Sequence, residues 1–80
     1  MNINKIKGIE SLIKSGGITT IRIFHLDYAM KFHAPFKVTV LDGFHMMISS
    51  SDDDVYITIS SNQIYYVTVG KDSELIIELK

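Results

Sequence analysis

The sequence predicts an α+β domain, with a short N-terminal helix followed by a five- to six-stranded antiparallel β-meander, flat or rolled into a small barrel. Apolar residues recur at helical spacing only near the N-terminus. After residue 17, β-branched and aromatic residues form short runs between turn-forming residues. Because the chain has 80 residues and no cysteine, we expect one domain, residues 1–80, held by its core or by partners and not by disulfides.

The predicted helix covers residues 3–15. Its apolar positions lie three or four residues apart with charged residues between them: Ile6, Ile9, Leu12 and Ile13. Gly8 lowers the helix propensity by about 1 kcal/mol relative to alanine. Ser15-Gly16-Gly17 is a stop signal, because glycine readily adopts the left-handed conformation that ends helices.

Six strands are predicted in the remaining sequence. They lie near residues 18–26, 36–41, 44–49, 55–60, 64–69 and 74–79. Residues 27–35 form a longer connection, and the other connections are short enough for antiparallel hairpins.

The hairpin around Asp42-Gly43 sets which side chains of the two flanking strands face the core. A three-residue loop at 41–43, with Gly43 left-handed, would collect apolar residues on one face. Val40 would then face Phe44, Val38 would face Met46, and Phe36 would face Ile48. His45 would point away from the core, near Lys37.

The strand at 64–69 is apolar on both faces. Ile64 and Tyr66 would lie on one side, and Tyr65, Val67 and Val69 on the other. Such a strand is either covered on both sides or open to a partner.

Charge is unevenly distributed along the chain. Residues 1–40 carry six basic and two acidic side chains, a net +4, whereas residues 41–80 carry two basic and seven acidic ones, a net −5. This asymmetry can steer association between unlike surfaces, including two copies of the chain, unless the fold interleaves the halves. No run approaches the roughly 18 apolar residues of a membrane helix, so we expect a cytoplasmic protein.

The residues offer little support for catalysis or metal binding. His25 and His45 with Lys37 are the residue types of an acid–base RNA-cleaving site, but no spacing requires them to meet. The three histidines, with Asp27, form no tight ligand motif, and Asp52-Asp53-Asp54 is more typical of a solvated turn than of a calcium loop. We therefore predict no enzyme activity, no cofactor and no metal.

By elimination, the sequence favours a small non-catalytic protein-binding module. It would self-associate as a dimer or higher oligomer and act as a regulator or inhibitor by masking a partner's surface. Its size, acidity and lack of motifs are typical of small phage-encoded inhibitors. The predicted contact residues are three tyrosines, two valines and the aspartate cluster of the second half: Tyr56, Tyr65, Tyr66, Val67, Val69, Asp52, Asp53 and Asp54.

Two alternatives stay open. One is a small RNA-binding or RNA-cleaving protein that uses the basic first half and the histidines, although the acidic second half makes a nucleic-acid partner the weaker hypothesis. The other is a purely structural oligomer subunit. The stretch VTVLDG at residues 38–43 resembles the second strand and turn of Sm-like ring proteins. That resemblance implies a barrel-like alternative for the fold alone.

Overall fold

The computed structural model describes residues 3–52 and 54–80. Helix α1 covers Ile3–Lys14 and is followed by seven strands within the described residues. The strands are β1 (Thr20–Phe24), β2 (Ala29–His33), β3 (Phe36–Val40), β4 (His45–Ser50), β5 (Tyr56–Ser60), β6 (Ile64–Val69) and β7 (Glu74–Leu79). A single 3₁₀ turn, Ser61–Gln63, joins β5 to β6. The predicted α+β fold, a helix followed by an antiparallel-dominated strand meander, is confirmed.

The described strands form two open sheets, and neither closes into a barrel. Sheet A has the order β2-β1-β7-β6, and sheet B has the order β3-β4-β5. All neighbours are antiparallel except β1 and β7, which run parallel in the centre of sheet A. Strands β2 and β6 are therefore the edges of sheet A.

One hydrophobic core lies between the two sheets and the helix. The helix contributes Ile6, Ile9 and Ile13, and it packs against β3 and the 3₁₀ turn. The strands contribute alternate residues, as expected when one face of each sheet is buried. The fully buried residues among them are Ile21, Ile23, Met46, Ile48, Ile59, Ile64, Leu75 and Ile77.

In the β3–β4 hairpin, the buried face of β4 is the predicted one, but the pairing register with β3 differs from the prediction. Val40 lies opposite Met46 and Val38 opposite Ile48, so Met46 and Ile48 are buried as predicted. The prediction that Phe44 faces Val40 is wrong: Phe44 lies in the loop and is half exposed. The loop is held there because Asp42 Oδ1 accepts hydrogen bonds from the N–H groups of Phe44 and His45. Gly43 has φ +84°, in the left-handed region as predicted.

The two halves of the chain interleave in sheet A. Strands β1 and β2 come from the basic half, and β6 and β7 come from the acidic half. Arg22 on β1 lies 3.7 Å from Glu74 on β7, an ion pair that joins the two halves. The charge asymmetry of the sequence is therefore not kept as two separate surfaces.

Candidate protein-binding surface

The predicted contact residues separate into two places. Tyr65, Tyr66, Val67 and Val69 all lie on β6, the edge of sheet A. Tyr56, Asp52 and Asp54 lie at the start of β5 and in the turn before it, in sheet B. Asp53 is outside the described residues. The described contact residues thus form two patches, one on each sheet.

A β-bulge at Tyr65 changes which side chains share a face of β6. Ile64 pairs with Leu79, whereas Tyr66 pairs with Glu78, so two residues of β6 oppose one of β7. Ile64 is buried, and Tyr66 points with Glu78 away from the core. The prediction that Ile64 and Tyr66 share a face is wrong, because the extra residue shifts the alternation.

The outer edge of β6 presents backbone groups without a neighbouring strand in the described part of the chain. Gly70 N–H donates to the Glu74 carbonyl at 2.7 Å, which fixes the phase of the β6–β7 ladder. Hydrogen-bonded pairs alternate in an antiparallel ladder, so the N–H and C=O groups of Thr68 also point toward β7. The N–H and C=O groups of Val67 and Val69 consequently point outward from the sheet.

A groove of about 370 Å³ lies beside this edge, between α1 and β6. Its lining is almost entirely apolar, and the residues are Lys5, Gly8, Ile9, Leu12 and Val67. Gly8 keeps the helix side of the groove open, because a Cβ built there meets no atom within 4 Å. We call these five lining residues the α1–β6 groove.

Lys5 closes the groove at the start of β6. Its Nζ donates to the Ile64 carbonyl oxygen at 3.2 Å, so the helix is tied to the edge strand. Apolar side chains remain exposed along the same edge: Tyr65 is 70% exposed, Tyr66 51% and Val69 49%. A free strand edge, an apolar groove and exposed tyrosines together form a surface suited to another polypeptide.

The second patch borders a different cleft, on the outer face of sheet B. This cleft of about 480 Å³ is lined by Lys37, Met47, Ser49, Ser50, Ser51, Asp54 and Tyr56. Lys37 and Asp54 carry opposite charges, so the cleft favours neither an anion nor a cation. The structure thus brings the predicted residues Tyr56 and Asp54 together, but away from β6.

The three histidines lie in separate parts of the fold. His25 follows β1 and stacks on Tyr28 with ring centroids 4.7 Å apart, His33 ends β2, and His45 begins β4. His45 Nδ1 lies 2.9 Å from Asp42 Oδ1. This hydrogen bond, with that from the Phe44 N–H, lowers the pKa of the exposed Asp42 carboxyl below its ordinary 3.8. Among residues 3–52 and 54–80, no three histidine, aspartate or glutamate side chains converge to hold a metal ion.

The sequence-based prediction missed the helix residues of the site, Lys5, Gly8 and Leu12. They form a stripe along the helix, next to the stripe of buried isoleucines. A glycine within an otherwise regular helical pattern was the available signal, since it costs stability without serving as a turn.

Comparisons with family models, with curated proteins and with solved structures found no match for this chain. Within the described ranges, no helix has the length and apolar character needed to cross a membrane.

Proposed function

We infer that this chain is a small non-catalytic protein-binding module that regulates or inhibits a partner protein by covering part of its surface. The supporting observation is the free edge of β6, where the outward backbone groups of Val67 and Val69 lie beside the α1–β6 groove. In strand addition, main-chain hydrogen bonds supply affinity and an adjacent pocket selects side chains. A segment bound along β6 would be hidden from other proteins.

The same edge also suits self-association. Because Val67 and Val69 are two residues apart, a two-fold axis at Thr68 would pair Val67 of one copy with Val69 of the other. Each such pair exchanges both of its N–H···O bonds in an antiparallel ladder. The pairing would place the exposed Val69 side chain beside the other copy's α1–β6 groove. A second copy of the chain and a partner segment would then compete for the same edge of β6.

Light scattering after size-exclusion chromatography tests this proposal. The parent chain should run as a dimer at micromolar concentration, and Tyr65→Asp combined with Val69→Asp should give a monomer that keeps β-rich circular dichroism. Both side chains are exposed, so the substitutions leave the core intact. Tyr56→Asp combined with Thr58→Asp is the matched control, because it places the same charges on exposed positions of β5, the edge of sheet B. A monomeric parent chain, or equal masses for the two variants, would exclude self-association through β6.

RNA binding is the second candidate function. The outer face of sheet A carries exposed Arg22, Lys31 and His33 on adjacent strands. Arg22 Cζ lies 5.1 Å from the centroid of the Phe24 ring on that face. Cationic groups beside an aromatic ring are the elements of a single-strand platform. Glu74 and Glu78 share the face and oppose phosphate, so this function ranks second. Salt-dependent binding of a labelled oligouridine, lost in Arg22→Gln with Lys31→Gln, would favour it.

A further inference from the structure

We propose that the partner segment is an extended strand with a bulky apolar side chain and, two residues further toward its C-terminus, a carboxylate. This assignment rests on the proposed function and specifies the ligand of the β6 surface. The apolar side chain would enter the α1–β6 groove, and the carboxylate would meet Lys5.

The groove is built for one apolar side chain of a strand beside β6. In a β-strand, the direction of the side chain and that of the backbone polar groups alternate with the same period. A residue paired with Val67 through its backbone therefore carries its side chain on the same face as Val67, toward the groove. No atom lies within 4 Å of a Cβ built at Gly8, so the helix side of the groove leaves room for the incoming apolar side chain.

An antiparallel segment is favoured at this edge. Val67 and Val69 offer outward N–H and C=O groups that a strand of either direction can pair with, and an antiparallel ladder is slightly more stable per residue than a parallel one. An antiparallel strand runs toward Ile64 as it approaches its own C-terminus. The residue two positions after the anchor thus reaches the part of the edge where Lys5 Nζ lies.

Lys5 supplies the charge complementarity. It is the one charged residue among the five that line the groove. Its ammonium has three donors, and the bond to the Ile64 carbonyl uses one of them. None of the ion pairs found in residues 3–52 and 54–80 includes Lys5. A carboxylate from the partner can accept from the remaining donors in a charge-assisted bond.

A fluorescein-labelled peptide with the central sequence Val-Thr-Leu-Thr-Asp is the probe. Fluorescence anisotropy should show binding to the parent chain, and replacing the leucine with serine should lower the affinity about tenfold or more. Methylating the backbone nitrogen of the leucine should abolish binding, since that N–H pairs with Val67. Light scattering should show that the peptide converts the dimer to the monomeric complex.

Two protein variants locate the anchor. Gly8→Leu fills the groove from the helix side and should weaken the peptide about tenfold. Ser11→Leu adds the same side chain to the exposed helix surface outside the groove and should change the affinity less than about twofold. Lys5→Glu should weaken the aspartate peptide and restore binding to a peptide with lysine in place of the aspartate.

The outcomes separate this inference from the proposed function. Equal affinity for the leucine and serine peptides, or equal effects of Gly8→Leu and Ser11→Leu, would overturn the groove assignment. A dimer that depends on β6 but resists every peptide would also overturn it while leaving self-association intact. If neither peptide binding nor dimerisation changes in Tyr65→Asp with Val69→Asp, β6 is not a contact and both proposals are wrong.

Discussion

Lys5 Nζ donates a hydrogen bond of 3.2 Å to the carbonyl oxygen of Ile64, across 59 residues of sequence. The bond joins the first turns of α1 to the first residue of β6, the edge strand of sheet A. It satisfies one outward carbonyl of that edge and sets the end of the α1–β6 groove. Lys5 therefore contributes both to the fold and to the proposed site.

Replacing Lys5 with methionine should lower the free energy of unfolding by about 0.5–1.5 kcal/mol. Methionine keeps most of the apolar stem but removes the donor to the Ile64 carbonyl. Urea denaturation followed by circular dichroism measures the change. Lys7→Met, at an exposed position of the same helix, is the matched control and should be nearly neutral. Equal stabilities of the two variants would show that the bond is not maintained in solution.

Replacing Gly8 with alanine should raise the free energy of unfolding by roughly 0.5–1 kcal/mol. Gly8 lies inside α1, and a Cβ there meets nothing within 4 Å. Alanine therefore gains helix propensity without a clash. Thermal melting of the variant and of the parent chain shows whether the substitution raises or lowers the stability. A lower melting temperature would mean that the backbone at Gly8 departs from regular helix.

Gly43→Val should destabilise the fold by roughly 1–2 kcal/mol. Gly43 has φ +84°, which a β-branched residue adopts poorly. Gly17→Val is the comparison, because Gly17 lies outside the left-handed region and has only Ser15 Oγ, at 3.9 Å, near a built Cβ. The two variants should differ clearly in chemical denaturation. If Gly43→Val unfolds at the same denaturant concentration as the parent, the loop geometry is wrong.

Much of the strand pattern could be predicted because it depends on local alternation. Leu75, Ile77 and Leu79 alternate with partly buried positions, and all three are buried on β7. Ile57 and Ile59 likewise are buried on β5. Each of these runs contains its own period, so neighbouring residues suffice to predict the face.

The features that were missed depend on distant parts of the chain. Strand β2 was missed, and it lies within the predicted connection 27–35. Phe32 is its one buried residue, so the alternation of buried and exposed positions is weak. The parallel pairing of β1 with β7 joins strands about 50 residues apart, and no local signal indicates it. The bulge at Tyr65 lies where the register with β7 shifts between Ile64 and Tyr66, so the alternation of β6 alone gave the wrong faces.

The acidic titration of Asp42 should depend on His45. The hydrogen bond with His45 and that from the Phe44 N–H lower the pKa of the Asp42 carboxyl in the folded chain. A carboxyl pKa that is lower in the folded chain stabilises the fold at pH values above the pKa of the unfolded chain. This contribution is lost as the pH falls through the pKa of the folded chain. Carboxyl NMR shifts should give a midpoint below 3.8 in the parent chain and a higher one in His45→Ala. An unchanged midpoint would show that the backbone N–H groups of Phe44 and His45, and not the His45 imidazole, lower the pKa of Asp42.

Amide hydrogen exchange should reveal what covers the edge of β6. Thr68 and Tyr66 face β7 and should exchange slowly at every protein concentration. The amides of Val67 and Val69 face outward, so they should exchange rapidly in dilute protein and slowly when two copies pair through this edge. Peptide binding should protect the same two amides at low protein concentration. Tyr65→Asp with Val69→Asp should remove the concentration dependence at Val67 and leave Thr68 protected. Protection of Val67 in dilute, monomeric protein would mean that the edge is already occupied by the chain itself, and strand addition at β6 would then be excluded.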